Sequence, residues 1–178
     1  MRQVLGGEDF DRLLDEVKTR AFHLETHDDY LAETETDSLR AFLADESIDP
    51  GGDWFTPWTD QVRRMVGRGV GVQRARIVTR SHTAYTRYLL ALTRYNVEAG
   101  EDVRYLPRNV AASNDAITED FWLLDDRTVV YSLFDAGGVW IGGAVTQDPV
   151  LVANTVAIRD RVWRIATPYA QYLGRATT

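Results

Sequence analysis

Val70-Gly-Val-Gln-Arg-Ala-Arg-Ile-Val-Thr-Arg80 is followed by Tyr85, Tyr88, Leu89, Leu92 and Tyr95 at helical spacing, then by Gly100 and Asp102-Val-Arg-Tyr-Leu106. The first and last stretches read as strands. The middle one reads as a helix of about four turns, capped at its start by Ser81 to Thr83 and closed by Gly100. Two strands joined through a helix lie parallel with a right-handed crossover, because a tight turn cannot return a parallel strand to its neighbour. This βαβ unit makes the chain an α/β (α+β) protein.

Toward the C-terminus three more strands follow closely, Phe121–Leu124, Thr128–Phe134 and Val139–Val145. Asp125-Asp126-Arg127 and Asp135-Ala136-Gly137-Gly138 separate them with turn residues, so they form an antiparallel meander. Asp148-Pro149 then opens a last helix, whose Leu151, Val152, Ile158, Val162, Ile165 and Ala166 face inward until Thr167-Pro168, and Tyr169 to Leu173 add a short turn. Toward the N-terminus the pattern is helical. Phe10, Leu13, Leu14, Val17 and Ala21 fall on one stripe of a helix over 8–22, a second helix spans 37–44, and Thr56-Pro57 starts a third that stops at Gly67. The expected organisation is an acidic helical N-terminal subdomain over 1–68 and an α/β domain over 69–178.

Composition narrows the function. The chain has 178 residues, no Cys and a net charge of −7. That removes disulfides, thiolate metal sites and a cysteine nucleophile, and it disfavours direct nucleic-acid binding, which needs clustered Lys and Arg. No stretch suits a signal peptide or a membrane span, so a cytoplasmic protein without membrane contact is expected. The charge is uneven: residues 1–60 carry a net −11, residues 61–108 a net +7 and residues 109–178 a net −3. Lys18 is the only Lys.

Four features invite a functional reading. His23-Leu-Glu-Thr-His27 places two imidazoles four apart, but on a helix Glu25 points away from them, so the segment reads as polar residues at a helix end and no metal is expected. Gly67-Arg-Gly69-Val-Gly71 lies between a helix and a following strand, the reverse of a phosphate-cradling loop. Arg74, Arg76 and Arg80 share one face of an extended strand and need anions, supplied either by the acidic first third or by a bound phosphate-containing ligand. The rim beyond the parallel strands carries Arg80, Ser81 and His82 after the first and Pro107 and Arg108 after the second, the usual pocket address in such sheets. The candidate ligand-binding set is therefore Arg76, Arg80, His82 and Arg104. Tyr85, Tyr88 and Tyr95 read as helix-to-sheet core. No catalytic residues and no cofactor are identified.

The order βαβ, meander, helix, with Asp125-Asp126-Arg127 after Phe121-Trp-Leu-Leu124, resembles half of a phospholipase D-type domain. Active members of that superfamily need H-x-K-x4-D. Set on His82, the Lys position holds Ala84 and the Asp position Leu89, so the resemblance implies the scaffold without its chemistry. A second resemblance covers nearly the whole chain. Ala21-Phe-His-Leu-Glu25, Arg74-Ala-Arg-Ile-Val-Thr-Arg-Ser81 running into Tyr85-Thr-Arg-Tyr88, Asn96-Val-Glu-Ala-Gly-Glu-Asp-Val-Arg104 and Asp120-Phe-Trp-Leu-Leu-Asp-Asp-Arg127 are similar to an uncharacterised actinobacterial family, domain of unknown function 6879. That resemblance implies a helix-turn-helix transcription regulator as protein partner, and leaves homodimerisation open.

The expected function is a non-enzymatic regulatory or interaction protein acting with such a regulator. The alternatives are a sensor of a small anionic ligand and, more weakly, a phosphodiesterase-like hydrolase.

Overall fold

The computed structural model describes residues 3–30, 36–116 and 119–176. Their elements run β1 (Gln3–Leu5), α1 (Gly7–Glu16), β2 (Arg20–Glu25), α2 (Thr36–Ala44), a single 3-10 turn (Asp53–Phe55) and α3 (Thr56–Gly67). Next come β3 (Gly71–Val78), α4 (Ala84–Glu98), β4 (Asp102–Pro107), α5 (Ser113–Ala116), β5 (Phe121–Leu124) and β6 (Thr128–Phe134). The chain closes with β7 (Trp140–Thr146), α6 (Pro149–Ile165), β8 (Thr167–Pro168) and α7 (Tyr169–Ala176).

One mixed sheet of eight strands runs in the order β1-β7-β6-β5-β2-β3-β4-β8. The βαβ unit forms as its pattern requires: β3 and β4 are parallel, and the Thr83 side chain caps α4 by accepting the Thr86 amide. The meander β5-β6-β7 is antiparallel. Asp148 caps α6, accepting from the amides of Val150 and Leu151, with Pro149 in the first turn.

The helix expected over 8–22 is corrected by the structure. Helix α1 ends at Glu16, Val17 is already extended, and residues 20–25 form β2 in the middle of the sheet, parallel to β3 and antiparallel to β5. Ala21 falls on the helical stripe by coincidence. A strand covered on both faces shows no clean alternation, and Ala21, Phe22, Leu24 and Glu25 are all buried. The turn into β2 is held from across the sheet by Asp125, whose carboxylate accepts the amides of Lys18, Thr19 and Arg20. Burial would raise Asp125, but those amides hold it at about 2. The same carboxylate fixes the loop in which Asp125 and Asp126 take φ values of 52° and 54°. Because β1 and β2 precede residue 68 and pair with strands that follow it, the sheet spans the division drawn at 68/69.

The two faces of the sheet are covered differently. Phe22, Leu24, Ala75, Ile77, Phe121 and Leu123 pack beneath α6 through Ile158 and Val162, with Ala166 at the helix's C-cap. On the other face Leu14 and Val17 meet Val62 and Met65 of α3 over Val72, Leu124 and Val130. Beside that cluster Phe42 of α2 packs with Tyr85, Tyr88 and Leu92 of α4. No helix among the described residues is long and apolar enough to cross a membrane.

Candidate functional site

Strand register assembles the site. His23 lies opposite Arg74 on one side and Trp122 on the other, Glu25 lies opposite Arg76, and Arg76 lies opposite Tyr105. Side chains directly across a ladder share a face, so these six stand together on the face that α3 and α4 cover. Period 2 also puts Glu25 on the same side as His23. A helix would instead turn Glu25 away from His23.

The charges form one buried chain of hydrogen bonds. Arg74 bonds Glu25 and donates its Nε to Glu101 at 2.6 Å, while Arg76 bonds Glu25 and donates to Thr93 Oγ1 at 2.7 Å and the Tyr105 hydroxyl at 3.0 Å. Asn96 of α4 donates to Glu101 at 2.6 Å. Burial alone would raise Glu25, but Arg76 and Arg74 together hold it below the usual carboxylate range. His23 stacks on Trp122 with ring centroids 4.2 Å apart, and burial, reinforced by Arg74, lowers its pKa to about 3. Neutral at physiological pH, His23 accepts from Arg74 through Nδ1 at 3.0 Å, which leaves the proton on Nε2.

Above this floor lies a pocket with a volume of about 320 Å³. Trp58 of α3, Tyr85, Leu89 and Leu92 of α4, Phe134 of β6, Trp140 of β7, and Tyr30 and Phe55 from the connecting segments build its walls. The Arg74 guanidinium lies 5.4 Å from the Trp58 ring and 5.7 Å from that of Trp122, a cation–π contact with each. Asp120, buried at one end, accepts from the Thr26 amide at 2.7 Å and Thr26 Oγ1 at 2.9 Å, and bonds the Tyr30 hydroxyl and His27 Nδ1. Its hydrogen bond raises His27, whereas burial together with Asp120 pushes the Tyr30 hydroxyl well above its ordinary range.

The rim set Arg76, Arg80, His82 and Arg104 is not one site. Arg76 is committed to the buried network. Arg104 pairs in register with Ala75 and so points to the opposite face, where it lies over the Trp163 ring at 3.9 Å and bonds Asp102. Arg80 lies beyond the end of β3, off the face shared by Arg74 and Arg76. It stands over Tyr172 at 5.5 Å, and His82 Nε2 is 3.0 Å from the Tyr172 hydroxyl, so only these two meet. The remaining arginines of the basic middle find partners within the chain: Arg63 with Asp60, Arg64 with Gln61, Arg68 with Asp15, Arg87 with Glu46, Arg94 with Asp49 and Arg108 with Asp28.

Glu25, Asp120, Trp58 and Trp122 line the pocket, Glu101 holds Arg74 beneath it, and none of the five is singled out from the sequence as a site residue. The available signal was the alternation in Phe22-His-Leu-Glu25 and Arg74-Ala-Arg-Ile77, apolar residues in turn with ionisable ones of opposite sign. Read as neighbouring strands, the two segments pair their charges. Tyr85, Leu89 and Leu92 belong both to the helix-to-sheet core and to the pocket wall.

Fold and site together define a mixed-sheet α/β domain with an aromatic-walled pocket on a buried, self-paired polar floor. The chain belongs to the family described as a domain of unknown function (DUF6879), whose model matches residues 8–174. No curated protein matches the sequence. Among solved structures the chain is similar in fold to TrmBL2, described as an archaeal chromatin protein that shows a novel mode of DNA binding. The TM-score is 0.52 at 15% sequence identity, and the match covers 94% of this chain and 54% of that one, so this chain spans about half the length of TrmBL2.

Proposed function

We propose that this chain is a non-enzymatic regulatory domain that takes a small molecule into the aromatic-walled pocket and acts through a DNA-binding partner of the helix-turn-helix class. The observation that carries this reading is the pocket itself, a concave and largely apolar cavity with convergent polar groups, as small-molecule sites are built. A binding role suits its ionisable groups better than a catalytic one. General acid–base work needs a group that titrates near the working pH, whereas among the lining residues His23 is held at about 3, Glu25 below the carboxylate range and Tyr30 far above neutrality. His27, raised by Asp120, stands behind that carboxylate outside the lining.

The regulatory half rests on charge and likeness. A net charge of −7, with the arginines of the basic middle largely paired internally, leaves little to neutralise phosphates, so DNA contact is assigned to the partner. The fold likeness to TrmBL2 is compatible with a module that works beside a DNA-binding one. A phospholipase D-like ancestry is supported by the order of βαβ unit, meander and helix.

A thermal-shift screen of a small-molecule library tests the reading. A pocket ligand at 100 times its Kd should add about 2.7 kcal/mol of stability. Ser132→Phe, which fills the pocket from β6, should abolish the shift. Chemical conversion of a bound compound would contradict the non-enzymatic assignment. Salt-sensitive binding of the chain alone to a random DNA duplex would contradict the assignment of DNA contact to a partner.

A further inference from the structure

Resting on the pocket reading, we propose that the ligand is an uncharged planar ring compound, one or two fused rings in size, that carries a hydrogen-bonding group.

Charge balance is the first support. Arg74 and Arg76 are matched by Glu25 and Glu101, so this part of the floor is neutral without a ligand. Asp120 is hydrogen-bonded by Thr26, Tyr30 and His27, and His27, raised by Asp120, balances its charge when protonated. An anion entering the pocket would find its guanidinium groups already neutralised, and a cation would find its carboxylates already bonded. Either would lose hydration without a compensating opposite charge. The arrangement penalises charge of both signs.

The walls supply the second. Trp58, Trp122, Tyr30, Tyr85, Phe134 and Trp140 present ring faces and edges from several directions, a surface that favours a flat π-system over a flexible chain. A volume of about 320 Å³ sits at the small end of the range for ligand pockets.

Two unpaired polar atoms supply the third. Asn96 and Trp58 both line the pocket, Asn96 is almost fully buried, and among the described residues neither its Oδ1 nor Trp58 Nε1 has a hydrogen-bond partner. Unpaired buried polar atoms are costly and call for an explanation. One is an acceptor and the other a donor, so a ligand that reaches either would pair it, with an N–H or O–H in the first case and a carbonyl or ring nitrogen in the second.

Three compounds that share one ring and differ in charge test this directly: indole-3-acetamide, uncharged; indole-3-acetate, anionic; and tryptamine, cationic at pH 7. Affinities are read by saturation-transfer NMR titration against the parent protein and Ser132→Phe. The amide is expected to bind saturably and at least ten-fold more tightly than either charged analogue, with binding lost in Ser132→Phe and weakened by Asn96→Leu. Tighter binding of the acetate or tryptamine to the parent, lost in Ser132→Phe, would overturn the uncharged-ligand inference while keeping the pocket reading. No saturable binding of any of the three, in parent or variant, would overturn the inference and count against the pocket reading as well.

Discussion

Strands β2 and β3 carry two unlike faces. On one, Phe22, Leu24, Ala75 and Ile77 are an unbroken apolar layer beneath α6. On the other, the alternate positions of the same two strands are His23, Glu25, Arg74 and Arg76, largely buried but joined by hydrogen bonds and ion pairs. The first face shows that these strands need only packing to stay in the sheet. Replacing buried ion pairs by apolar residues often leaves stability unchanged or raises it, so the second face is poorly explained by stability and better explained by the pocket above it.

The largest expected effects separate what the two faces do when damaged. Phe22→Ala opens a cavity in the apolar layer and should cost about 3–5 kcal/mol in urea unfolding. Glu25→Gln leaves two guanidinium groups on the other face without their shared carboxylate and should cost a similar ~3–5 kcal/mol. The contrast lies in the remedy. Volume lost on the apolar face is restored only by refilling it, whereas the polar face should tolerate removal of both signs of charge at once. A Glu25→Gln variant as stable as the parent would show that the ion pairs are not coupled as the geometry indicates.

A smaller effect concerns pH. His23 has its folded pKa lowered to about 3, so the unfolded chain binds its proton first as pH falls below about 6.5. Stability from this group is fully present above pH 6.5 and drains away toward pH 3, at no more than ~1.4 kcal/mol per pH unit. His82, lowered by burial and Arg80, adds to the loss, while His27, raised by Asp120, opposes it. His23→Phe should flatten the parent's slope between pH 6.5 and 5, measured by urea unfolding. An unchanged slope would mean that His23 is not held neutral.

The smallest effect belongs to the rim. Arg80 is exposed and contributes a cation–π contact with Tyr172, so Arg80→Ala should change stability by less than about 1 kcal/mol and leave pocket binding unaltered. A ten-fold loss of binding in this variant would return the site to the ends of the parallel strands.

Much of the fold was legible because its signals are local. Thr83, Gly100 and Asp148-Pro149 mark helix ends by backbone hydrogen bonding, and Asp125-Asp126 marks a turn, whatever lies elsewhere in the chain. Strand β2 was not legible, since Ala21 continues a helical stripe begun by Phe10 and only long-range pairing with β3 and β5 decides otherwise. The site was lost with it. Once residues 8–22 are read as helix and 23–27 as its polar end, Glu25 has no reason to meet Arg74 and Arg76, and the arginines are assigned to a rim that register places on two different faces. Asp120 and Trp122 depend equally on the pairing of β5 with β2.

The central claim is that the polar face serves the pocket and not the stability of the sheet. It is tested most directly by urea unfolding of the fourfold variant Glu25→Leu, Arg74→Met, Arg76→Met and Glu101→Gln, which removes both signs of charge together. Stability equal to the parent's, or higher by about 1–4 kcal/mol, is the predicted result. A loss of about 3 kcal/mol or more would show instead that the network is part of what holds the sheet together, and would contradict the claim.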